Sequence, residues 1–136
     1  MYGLGRLFNA RVTTTTAALT VSLKDCGGVT FIGTGTSSGD VTFTQRTGPD
    51  ATGSSAALTV DRWFGQTNGV WTQTLLDPED DAFAMNVTLW AVEIDASELA
   101  AGYTHVTASA AAGTILVIQR DLHVMRKAAN LRDIRT

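Results

Sequence analysis

The side chains best suited to chemistry are few: two histidines, one cysteine and the acidic run Asp77, Glu79, Asp80, Asp81. Zinc takes three or four Cys, His or carboxylate ligands. His105, His123 and Cys26 show no ligand spacing of that kind. The acidic run offers oxygens suited to calcium but lacks the alternating ligands and central Gly of an EF-hand loop. It reads instead as a helix N-terminus, with Asp77 as N-cap, Pro78 at N1 and Asp80 at N3, which predicts a short helix over 77–85. Cys26 stands beside Gly27-Gly28, and nothing nearby lowers its pKa, so it reads as a turn or strand-end residue. Gly33-x-Gly35-x-x-x-Gly39 invites comparison with a dinucleotide fingerprint, but its spacing is wrong and no helix follows. There is no Gly-x-Ser-x-Gly elbow and no acid/base carboxylate pair. No catalytic residue, cofactor or metal ligand is expected, and the chain does not read as an enzyme.

The aromatic residues point to contact surfaces. Trp90 lies in the most apolar run and is expected in the core. Trp63-Phe64 and Trp71 flank a predicted hairpin, so at least one is expected to face outward, as aromatics at binding surfaces do. Tyr103, after Leu99-x-x-Gly102, is a candidate tyrosine corner of the kind that closes Greek-key sandwiches. An ordinary strand aromatic is the alternative there.

The elements that must position these groups are strands. The chain has 136 residues, 44% apolar and 17% charged, with 21 Thr, 13 Gly and only 2 Pro. That is one domain's length, and the composition excludes disorder, coiled coil and collagen. In 17–25, Leu19, Val21 and Leu23 alternate with Thr20, Ser22 and Lys24, as in a half-buried strand. Strands are also expected over 29–32, 41–46, 57–64, 70–75, 87–94, 103–110 and 114–118. Asn68-Gly69 marks a tight hairpin between two of them. The run 87–94 is apolar on both faces, which predicts a central strand. Strands at this spacing with almost no helix predict an all-β fold. It would be a single antiparallel β-sandwich or barrel, Greek-key-like, with about eight strands and extended termini. The expected division is an N-terminal arm (1–16), a β body (17–122) and a basic C-terminal arm (123–136).

The net charge of −3 hides an asymmetry. Residues 1–118 carry five basic against eleven acidic side chains, while 119–136 carry five basic (Arg120, Arg126, Lys127, Arg132, Arg135) against two acidic ones. An acidic body with a basic tail suits docking onto an acidic surface, including a neighbouring copy; a solvated tail is the plainer reading. Nucleic acid is disfavoured because no aromatic is interleaved with these charges. No apolar run is long enough for a membrane span, and the first residues lack the apolar core of a secretory leader. A single cysteine allows no internal disulfide, in keeping with a reducing compartment.

Residues 86–132 carry a resemblance. Val92-Glu93-Ile94-Asp95-Ala96-Ser97-Glu98-Leu99, then Gly102-Tyr103-x-x-Val106, and Arg120-Asp121-Leu122-x-Val124-x-Arg126 with Asn130-Leu131, resemble small virion proteins of the head modules of tailed bacteriophages. The Phe43-Thr44-Gln45 strand and the loop after it fit more loosely. These motifs are structural, not catalytic. The resemblance implies a non-enzymatic decoration or cement protein on the capsid surface, made in the host cytoplasm. Its partners would be the major capsid protein and copies of itself, in a homo-oligomer for which a trimer is one option. The basic arm would bridge to a neighbour, and Tyr2, Leu4, Leu7 and Phe8 would anchor in a groove. A head–tail connector or tail component is one alternative. A glycan-binding adhesion module using Trp63 and Trp71 on a host glycan is another.

Overall fold

The computed structural model describes residues 9–13, 18–35, 39–49 and 52–122. Two antiparallel sheets pack face to face, so the fold is a sandwich. The larger sheet holds β1 (Asn9–Thr13), β3 (Cys26–Thr34), β6 (Val60–Thr67), β7 (Val70–Asp80), β9 (Leu89–Asp95) and β11 (Ile115–Leu122). Its order is β1-β11-β3-β9-β6-β7. The smaller sheet runs β2 (Leu19–Ser22), β10 (His105–Ala110), β4 (Asp40–Arg46) and β5 (Ser55–Ala57), with β8 (Ala82–Ala84) pairing the first half of β4. Most connections carry the chain from one sheet to the other, which interlocks the two layers. Asn9–Thr13, within the stretch read as an N-terminal arm, is edge strand β1 paired with β11.

The period-2 alternation of the strands builds the core. Val29, Phe31, Trp90, Val92, Ile94, Ile115 and Val117 enter it from the larger sheet, and Leu19, Val21, Val41, Phe43, Val106 and Ala108 from the smaller. Phe31 and Phe43 meet across the layers with ring centroids 5.7 Å apart, and Trp90 lies edge-on to Phe43 at 6.4 Å. Gly33 stands directly opposite Trp90 in the β3–β9 pair, and a Cβ there would sit 2.2 Å from the indole ring. The glycines of 33–39 therefore make room for packing: Gly35 does the same for Met85.

Two expectations are corrected. No helix forms over 77–85; β7 runs to Asp80 and β8 follows at Ala82–Ala84. The capping signals favour a helix end by only about 1 kcal/mol, and a helix this short is marginal alone. Burial at period 2 wins: Phe83 and Met85 are both buried while Ala84 between them is exposed. Phe83 stacks on Trp63 with centroids 4.5 Å apart. The only helical turn among the described residues is the 3-10 segment Ala96–Glu98. Second, β3 starts at Cys26 rather than at Val29, so Gly27 and Gly28 belong to the strand and Cys26 is its end residue. β1, β5 and β8 are the strands that bring the described number to eleven, beyond the expected eight or so.

Candidate functional site

The residues singled out by sequence do not converge. Trp90 is fully buried. Trp63 and Trp71 belong to the same hairpin but to opposite faces, because Trp63 pairs with Thr74 whereas Gln66 pairs with Trp71. Trp63 points inward onto Phe83; Trp71 is 47% exposed on the outside. Tyr103 is half-buried after Gly102 (φ +88°), and its amide donates to the Ala100 carbonyl at 3.1 Å. Its hydroxyl makes no hydrogen bond among the described residues, so the corner bond is not seen there. Tyr2, Leu4, Leu7, Phe8, His123, Arg126, Lys127, Arg132 and Arg135 lie outside the described residues.

The chemically able groups are equally dispersed. His105 is buried in β10, its Nδ1 2.7 Å from Thr104 Oγ1. Cys26 is buried, and that burial pushes its thiol up from an ordinary 9.0 to about 11, which leaves little thiolate at neutral pH. Asp77, Glu79 and Asp80 are strung along exposed β7, where Glu79 accepts a hydrogen bond from Thr59 Oγ1 at 3.1 Å. Among the described residues no three His, Cys, Asp or Glu side chains gather as a metal site would need. A shallow hollow of about 300 Å³ is lined by Thr67, Asn86, Val87 and Thr88, none of them an acid, base or thiol.

Arg120, expected to serve a partner, is committed within the sheet. Gly28 lies between Arg120 and Asp95 in the strand register, and with no side chain there the guanidinium crosses the backbone to Asp95 Oδ1 at 2.7 Å. A Cβ on Gly28 would lie 2.8 Å from Arg120 Nη2. Partial burial opposes the Arg120 charge, but the hydrogen bond and charge of Asp95, with Glu93 and Asp121, outweigh it and raise its pKa.

What the register does assemble is an apolar row across the outer face of the larger sheet, between mixed rows that carry Thr30 and Glu93 on one side and Thr34 and Gln66 on the other. Leu116, Ile32, Ala91 and Phe64 are successive cross-strand partners on β11, β3, β9 and β6. All four are half-buried, and they point away from the core because Val117, Phe31, Trp90 and Gly65 point into it. Ile118 and Leu89 flank this row on either side, and Trp71 and Leu75 extend the face onto β7. The smaller sheet differs: its outer row is Thr20, Thr107 and Thr44. Apart from Trp71 and Arg120, sequence reasoning did not single out the outer residues of the larger sheet, although the apolar character of both faces of 87–94 is the signal for those on β9.

Comparison of the chain with protein-family models, with curated proteins and with solved structures finds no match.

Proposed function

We propose that this is a non-enzymatic structural protein of a virion, decorating the capsid shell and stabilising it through inter-subunit contacts. The observation that carries the reading is the apolar row across the outer face of the larger sheet, Leu116, Ile32, Ala91 and Phe64 with Ile118 and Leu89 beside them. An antiparallel sheet with one solvated face ordinarily places polar residues there, so an apolar outer face favours a partner surface. Many weak contacts of this kind, repeated over symmetric copies, sum to firm attachment. The resemblance of 92–106 and 120–131 to phage head-module proteins supplies the shell as that surface. Under this reading the partners are the major capsid protein and copies of the chain itself. A glycan platform built jointly from Trp63 and Trp71 is disfavoured, since the two rings lie on opposite faces of the hairpin.

The test mixes purified protein with assembled shells of the parent phage. Saturable binding with a rise in shell melting temperature is expected. If saturating protein leaves occupancy and shell stability unchanged, the reading fails, and electron microscopy of the virion would then place the protein at the connector, in the tail or nowhere.

A further inference from the structure

Among the described residues, the three large apolar side chains that stand most exposed, Val70 at 65%, Trp71 at 47% and Leu75 at 64%, all belong to β7. This strand is the last of the larger sheet, and no described strand pairs with its other edge. From Val70 to Leu75 its side chains are exposed on both faces, so it overhangs the smaller sheet. An exposed, uncharged edge of this kind is a template for another strand, and natural proteins ordinarily blunt it with charge. Here the charge is confined to one end. Val70–Leu76 carries none, whereas Asp77, Glu79, Asp80 and Asp81 follow directly.

We propose that β7 pairs antiparallel with β7 of a second copy about a two-fold axis at Gln73, joining the two larger sheets into one. Three features select this occupant and this register. Thr67 and Val70 close the two-residue turn at Asn68-Gly69, so alternate residues of β7 bond to β6 and the others do not. Trp71, Gln73 and Leu75 therefore direct their N–H and C=O groups to the free edge. Centring on Gln73 pairs Trp71 with Leu75 of the second copy, Gln73 with Gln73 and Leu75 with Trp71, which satisfies all three on each side. The same register sets Trp71 and Leu75 side by side on the outer face, an aromatic–aliphatic cross-strand pair made twice.

Charge selects the direction. A parallel pair would place the acidic ends side by side. The antiparallel pair places Asp77 opposite Gly69 of the second copy, with the two Asp77 carboxylates about 27 Å apart along the strand axis. That exceeds the roughly 8–10 Å screening length, so the acidic ends do not oppose association. The regular ladder of β7 on β6 runs to Leu75 and then shifts register, so the straight part of the edge is the uncharged part. The arrangement is isologous and closes at two copies.

Sedimentation of the full chain across the micromolar range is expected to show a concentration-dependent dimer. Amide exchange at Trp71, Gln73 and Leu75 should slow as the dimer forms. Leu75→Lys and Trp71→Lys, which put charge on the free edge without touching the core, should each weaken self-association about tenfold or more. Gln73→Cys should cross-link to itself under mild oxidation, since partner Cα atoms at such a pair lie about 5.5 Å apart, within disulfide reach. A chain that stays monomeric throughout overturns the proposal. So does a dimer unaffected by both lysine variants, or one in which Gln73→Cys does not cross-link. The pairing is separable from the shell role. A chain made monomeric by Gln73→Pro, which removes one free-edge N–H at a residue outside the apolar row, and that still binds shells leaves that role standing, while a dimer that ignores shells leaves only the pairing.

Discussion

The two outer faces of this sandwich are made from the same kind of strand and end in opposite chemistry. On the smaller sheet, Thr20, Thr107 and Thr44 form one row across three strands. The Thr20 and Thr107 hydroxyls lie 2.7 Å apart, and Arg46 Nε donates to Thr107 Oγ1 at 2.9 Å. On the larger sheet the equivalent row is Leu116, Ile32, Ala91 and Phe64. The first face satisfies itself: Thr20 and Thr107 are buried and hydrogen-bonded. The second leaves apolar area half in water, and nothing in the sandwich requires it to do so. On the proposed reading, the larger sheet serves something besides its own folding. Substitutions on each face, and at the junction between the sheets, put that contrast at risk.

The largest effect is expected on the self-satisfied face. Thr107→Val keeps the shape and the β-branch but removes the hydroxyl shared by Thr20 and Arg46. Leaving buried Thr20 and half-buried Arg46 without that hydroxyl costs about 1–3 kcal/mol. The midpoint of urea unfolding measures this, and an unchanged or higher midpoint would show that the threonine row does not stabilise the sheet.

A smaller effect lies where the sheets meet. Cys26 opens β3 with its thiol 3.9 Å from the Ser22 carbonyl of β2, and Gln119 of β11 donates to the same carbonyl at 2.6 Å. Burial raises the thiol from 9.0 to about 11, so between those values the folded chain holds a proton that the unfolded chain has released. Stability is then undiminished below pH 9 and falls as pH rises from about 9 to 11, by at most about 1.4 kcal/mol per pH unit. Comparing unfolding of the wild type and Cys26→Ala across that range isolates the slope. Equal slopes would remove Cys26 from the buried junction.

These contrasts are unevenly legible in the sequence. The Asn68-Gly69 hairpin can be read because a tight turn is a local event: Asn68 and Gly69 both take positive φ. Trp90 can be placed in the core from its apolar run. The stretch 77–85 cannot, because its helix signals are local and the contact that overrides them, Phe83 on Trp63, joins residues far apart in the chain. Arg120 misleads for a similar reason: only the strand register shows that Gly28 opens a lane to Asp95. Apolar character on both faces of 87–94 is visible, but which face remains uncovered depends on how the second sheet lies. Asp77, Glu79 and Asp80 fall on exposed β7, and only the register shows that this is the last described strand of its sheet.

The smallest effect is the one that tests the contrast most directly. Ile118 sits half-buried on the outer face, next in sequence to Val117, which is fully buried on the inner one. Thr is a good strand former, so Ile118→Thr keeps β11 and exchanges only a half-wet apolar side chain for a polar one. Its cost to the stability of the isolated chain is expected to stay under about 1 kcal/mol. The same substitution should weaken shell binding by more than it weakens folding, because Ile118 would be fully covered only in the complex. Chemical unfolding and shell binding measured on one preparation decide it. If Ile118→Thr destabilises the isolated chain as much as Thr107→Val does, the outer face of the larger sheet is already covered within the monomer. The apolar row would then be part of a core rather than a surface awaiting a partner.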